Sequence, residues 1–143
     1  MAAVLQVISL CAFARPLEDW PYARLVQEAD FVAVVKVVSV TNSTGVLSGH
    51  GDSSCYQART ACMRILKVMK GDICKVIQLE FFTYSATGCD DPDGAHFISL
   101  DASNIHEYTV FLKHDSGKLI PVSGHYDAAE SVRPMQKGLI LAD

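Results

Sequence analysis

Long apolar runs, paired metal-ligand motifs and an excess of positive charge are all missing from this sequence. No stretch reaches the roughly 20 consecutive apolar residues that a membrane-spanning helix requires, so a helical span is not expected. The five cysteines, at positions 11, 55, 62, 74 and 89, never stand in C-x-x-C spacing. That disfavours a structural zinc site or a thioredoxin-like redox pair. The five histidines never stand in H-x-x-x-H or H-E-x-x-H spacing, which would set two metal ligands on one helix face. No G-x-S-x-G elbow is present to expose a nucleophilic serine. With 12 Lys and Arg against 16 Asp and Glu, the net charge is −4. The basic residues are scattered, Lys67, Lys70 and Lys75 being the closest grouping, and no nucleic-acid partner is expected.

What is present describes an exported β protein. The 143 residues suit one domain, and half of them are hydrophobic, enough for a sizeable core. The first fourteen, MAAVLQVISLCAFA, are uncharged and end in Ala12-Phe13-Ala14, the small-x-small pattern of a signal-peptidase cut. They read as a signal peptide shortened at its basic end, with residues 15–143 as the mature domain beginning at Arg15. The expected location is secreted or periplasmic. The cut leaves Cys55, Cys62, Cys74 and Cys89, an even number consistent with disulfides in an oxidising compartment. Asn42-Ser43-Thr44 is a glycosylation sequon if the source is eukaryotic, and a polar turn otherwise.

Along the chain, EDWPYARLVQEAD predicts a short helix, with Asp19 available as cap and Tyr22, Leu25, Val26 and Ala29 at helical spacing. FVAVVKVVSVT, from Phe31 to Thr41, predicts a central strand covered on both faces. A hairpin follows from Cys55 to Tyr84, with Gly71-Asp72 as its tight turn. A closing hairpin, EYTVFLKHDSGKLIPVSGHYD, turns at Asp115-Ser116-Gly117. A turn of helix before Pro134 completes the reading. Irregular stretches separate the hairpins, at Asn42–Ser54 and Ser85–Asn104. About five twisted strands with one N-terminal helix and irregular insertions predict a small Greek-key barrel.

ADFVAVVKVVSV, MRILKVMKGD and YTVFLKHDSGKLIPVSG together resemble the netrin-type module, the oligonucleotide/oligosaccharide-binding (OB)-like barrel of tissue inhibitors of metalloproteinases. They look still more like small exported bacterial proteins carrying a related barrel. The resemblance implies a module that binds a protein or extracellular ligand without catalysis or cofactor. It does not carry over the inhibitors' zinc-chelating N-terminal cysteine, since the mature chain would begin at Arg15.

Several residues invite chemistry. In a strand, His125 and Asp127 would point the same way, with Ser123 on that face, so a small hydrolase or metal-dependent enzyme is the alternative function. The competing reading of Gly-His-Tyr-Asp is a corner with Tyr126 tucked inward. Asp90, Asp91 and Asp93 lack the closing glutamate of a calcium loop, position twelve being Asp101, so no metal is expected. Phe81, Phe82, Tyr84 and Phe97 could stack bases, but fit core and rim better in an acidic chain. Binding is therefore assigned to the loops and their polar side chains His50, Asp52, Asp91, Asp93 and His96. A monomer is expected. For a two-residue turn at Gly71-Asp72, facing residues have numbers summing to about 143. Cys55 would then face Gly88, one bulge from Cys89, which predicts a Cys55–Cys89 disulfide with Cys62 and Cys74 as buried free thiols.

Overall fold

The computed structural model describes residues 18–47, 55–72, 74–85, 95, 97–103 and 106–135. The expected leader, Cys11 and Cys89, and the loop residues His50, Asp52, Asp91, Asp93 and His96 lie outside these. Among the described residues, no helix is long and apolar enough to cross a membrane.

Helix α1 spans Tyr22–Glu28 and is too short to hold itself together in water. Its apolar side does that work: Leu25 and Ala29 pack with Trp20 onto Val32, Phe111 and Val122. Pro21, not Asp19, occupies the cap, and its φ of −64° already suits the first turn. Asp19 instead accepts a hydrogen bond from Arg24 at 2.8 Å through its backbone carbonyl. Arg24 also pairs with Glu18 and Glu28 and lies 3.7 Å from the centre of the Trp20 ring. At the other end Lys70 donates to the Val26 carbonyl at 2.7 Å, a favourable place for a cation.

Six strands follow: β1 Phe31–Asn42, β2 Tyr56–Lys70, β3 Val76–Tyr84, β4 Glu107–Asp115, β5 Lys118–Pro121 and β6 Val132–Pro134. All pairings are antiparallel, in the order β3-β2-β1-β4-β5, and β6 joins β4 beside β5. β1 is central, as its β-branched run predicts, and its residues Phe31–Val35 are all buried. The alternation in β4 also holds: Tyr108, Val110 and Leu112 enter the main core while Phe111 faces α1. Asp115 pairs with Lys118 across Ser116 and Gly117, whose φ values of 50° and 80° make a two-residue primed turn.

Three expectations need correction. The strand count is six, because a 3-10 turn at Ala128–Glu130 leads into the short β6. The ladder is open, with no pairing between β3 and β5 among the described residues. The hairpin register also differs. Tyr56 faces Tyr84 and Arg64 faces Val76, so the connection between the strands covers residues 71–75 in place of a two-residue turn. Gly71, with φ 97°, starts it, and a Cβ there would lie 2.6 Å from the Asp30 carbonyl oxygen. Cys62 consequently faces Gln78 and is half-buried, and Cys74 stands exposed in the connection, so neither is a buried thiol.

Candidate functional site

Ser43 N–H donates to Ala58 O and Ser85 N–H to Cys55 O, so both long connections leave the sheet at one end. The first turns back at once. Leu47 is buried with Ala58, Phe82 and Tyr126, and Gly45 lies against Glu80, where a Cβ would come within 2.5 Å of Oε2.

At this end of the sheet lies an aromatic floor. Tyr56 and Tyr84 face each other across β2 and β3, and Phe97 closes on them with centroids 5.7 Å and 5.0 Å away. Tyr126 meets Phe97 edge-on at 6.0 Å. Such pairs contribute on the order of 1 kcal/mol each beyond the area they bury. Tyr84 is 44% exposed, and its hydroxyl accepts the Ala95 N–H at 3.2 Å. Arg59 lies 5.9 Å from the Phe81 ring centre with its Nε buried and unpaired. Asp101 has its pKa lowered, chiefly by hydrogen bonds from Ser103 and also by the field of Arg59. At this end of the sheet the ring surface and the Glu80 carboxylate share one face, while Arg59 lies with Phe81 on the other.

Of the four aromatics singled out in the sequence, the structure brings Tyr84 and Phe97 into contact and sets Phe82 in the buried cluster that Phe97 packs against. Phe81 is fully buried on the opposite face of β3, in the main core. Tyr56 and Arg59 were not anticipated, although Tyr56 directly follows a cysteine at a loop boundary. Asn42, the sequon residue, is exposed at the end of β1. Cys55 is disulfide-bonded, and its partner lies outside the described residues, whereas Cys62 and Cys74 carry free thiols.

The Gly-His-Tyr-Asp quartet is not strand. β5 ends at Pro121, Gly124 takes a φ of 84°, and Tyr126 is buried. The common face assumed for His125 and Asp127 therefore does not exist, because the chain bends between β5 and the 3-10 turn. His125 packs edge-on against Phe82 at 5.3 Å. Burial holds its pKa below the ordinary imidazole range; Glu80 and Asp115 pull it back up, and Lys118 adds to the lowering. Ser123 Oγ donates to the Asp127 carbonyl at 2.7 Å and accepts from Ser131 Oγ at 2.6 Å, which commits its proton to the backbone. Among the described residues, no three His, Cys, Asp or Glu side chains gather to hold a metal ion. The chain matches no described protein family and no curated protein.

Proposed function

We propose that this chain is an exported, OB-like barrel module of the netrin/TIMP kind that binds a protein or extracellular ligand through its loop end. The observation that carries the reading is that both long connections leave the sheet at the end where Tyr56, Tyr84 and Phe97 cluster. Loops held at a rigid base are where recognition is usually built. The disulfide at Cys55 supports it, since that residue is the last before β2. With the leader removed, Cys89 is the partner left for it, and the bond would tie one connection to the other.

Strand order supports the barrel type. An OB-type barrel opened between its third and fifth strands gives the order found here, and Cα atoms of β3 and β5 do come within 8 Å of each other. Three register shifts between β1 and β2 add the coiling that such closure needs.

The test is capture from the native secretome with the mature domain beside a Tyr84→Ala variant and a variant with residues 90–94 replaced by a short Gly-Ser linker, Cys89 being kept. A partner retained by the parent and lost by both variants, each of which still melts cooperatively, is the expected result. Equal capture by all three would remove the loop end from the reading. Mass spectrometry of the exported protein should find its N-terminus at Arg15.

A further inference from the structure

Two bulges decide which side chains of β2 share a face. Leu66 and Met69 are skipped in its pairing with β1, so Lys36, Val34 and Val32 stand opposite Arg64, Lys67 and Lys70 in turn. Strict alternation would put positions 64, 66, 68 and 70 on one face. The bulges instead put Arg64, Lys67 and Lys70 there and turn Ile65 and Val68 onto the main core. Val32 marks this face as the one on which α1 packs, and Lys70 reaches the end of that helix at the Val26 carbonyl. Further along, the same face is covered again where Leu47 and Tyr126 pack on Ala58 and Phe82. In the band between the two coverings Ser39, Arg64, Lys67 and Gln78 are exposed and Lys36 is half-buried.

The cations of this band are unmatched. Arg24 holds Glu18 and Glu28, and Arg133 holds Glu130. Lys36, Arg64 and Lys67 form no ion pair among the described residues, although Glu107 is opposite Lys36 on β4. Lys36 and Arg64 face each other directly across the ladder, where like charges lower stability. With 16 acidic residues against 12 basic ones, nothing in the composition forces two cations together. Aliphatic side chains border them. Val76 faces Arg64, Leu66 lies between Arg64 and Lys67 in β2, and Val38 follows Lys36 in β1, at 51%, 42% and 55% exposed. A solvated face accounts for charge, but not for a repelling pair kept beside an exposed apolar rim. That mixture is the composition of an interface.

We propose that this band is a docking surface for an acidic, partly apolar patch on a partner protein. The partner's carboxylates enter between Lys36 and Arg64 and beside Lys67, and its apolar side chains meet Leu66 and Val76. A compact protein patch suits this charge distribution better than a long polyanion does. Screening confines the pull of three cations to about 8 Å. A nucleic acid or sulfated polysaccharide would run past them over the surface of a chain of net charge −4. The band is separated along β2 from Tyr56 and does not depend on the binding proposed at the loop end.

The experiment is fluorescence anisotropy of the exported protein with a labelled, end-blocked peptide of Asp and Glu interspersed with Leu. Saturable binding is expected, weakened about tenfold or more by the double reversal Arg64→Glu/Lys67→Glu. The reversal Lys113→Glu/Lys118→Glu, on β4 and β5, changes the net charge equally and should leave binding within about twofold of the parent. Arg64→Glu alone should raise the melting temperature while weakening the peptide, because it sets a carboxylate opposite Lys36. Weaker binding with a lowered melting temperature would show that the row serves the fold, and would overturn the proposal. Equal losses from both double reversals would overturn it as well, by showing attraction to net charge alone. So would no binding at millimolar peptide, or tighter binding of a sulfated oligosaccharide or a single-stranded oligonucleotide of matched charge.

Discussion

The imidazole of His125 packs on Phe82 and feels Glu80 of β3, Asp115 of β4 and Lys118 of β5, yet its Nδ1 is buried with no hydrogen-bond partner. Burial dominates, so the folded pKa lies below the ordinary value. As pH falls the unfolded chain takes up the proton first. The stability tied to the neutral ring is therefore complete above the unfolded pKa of about 6.5, and is lost as pH drops through it toward the folded value. Urea midpoints should be lower at pH 5 than at pH 7.5, and the gap should narrow in His125→Phe, which keeps the contact with Phe82. An unchanged gap would mean that other groups set the acid sensitivity. Two glycines make a second contrast. Gly71 and Gly117 both have positive φ, but a Cβ at Gly71 would strike the Asp30 carbonyl while one at Gly117 meets nothing within 4 Å. Gly117→Ala should cost about 1 kcal/mol, the left-handed penalty alone. Gly71→Ala should cost about 2–4 kcal/mol, since backbone must also move. Equal losses in urea titrations would show that the connection after β2 relaxes freely.

Elements were legible where one physical signal dominated. The β-branched run from Phe31 marked a strand buried on both faces, and Ser116-Gly117 marked a primed turn because few residues accept positive φ. Register was not legible, because no local rule shows that β2 outruns β3 or that Val38, Leu66 and Met69 fall out of step with their neighbours. β6 was missed because three residues ending in Pro134 carry no periodicity, and its pairing comes from β4. The aromatic floor was half visible: Tyr84 and Phe97 could be named, but their meeting with Tyr56 depends on the register. The same register places Cys55 opposite position 85, four residues short of Cys89. The strand register alone therefore does not bring Cys89 to Cys55. Non-reducing peptide mapping should yield that pair from the exported protein, with Cys74 alkylated faster than the half-buried Cys62 in the native state. A Cys11–Cys55 peptide would show that the leader is retained.

At the scale of the whole molecule the open question is the seam between β3 and β5. No ladder crosses it among the described residues, although the strands approach within 8 Å. The groups nearest the gap are side chains: Phe82 of β3 meets His125 just past β5, and the charges of Glu80 and Lys118 both act on that imidazole. β1 and β4, by contrast, are paired on both edges, since β4 carries β5 and β6 end to end along the side away from β1. A sheet left unpaired between β3 and β5 has a distinct signature in exchange. Interior amides exchange only through global unfolding, while edge amides need only a local opening. Val35, Val110 and Phe111 should therefore be among the slowest to exchange. The alternate amides of Val76–Tyr84 that point away from β2, and those of Lys118–Ile120 that point away from β4, should exchange markedly faster. Uniform protection around all strands would instead mean that β3 and β5 hydrogen-bond in solution and that the sheet closes on itself. Fast exchange accompanied by easy cleavage at β5 would mean that the two edges separate, and that the loop end is not held over a rigid base.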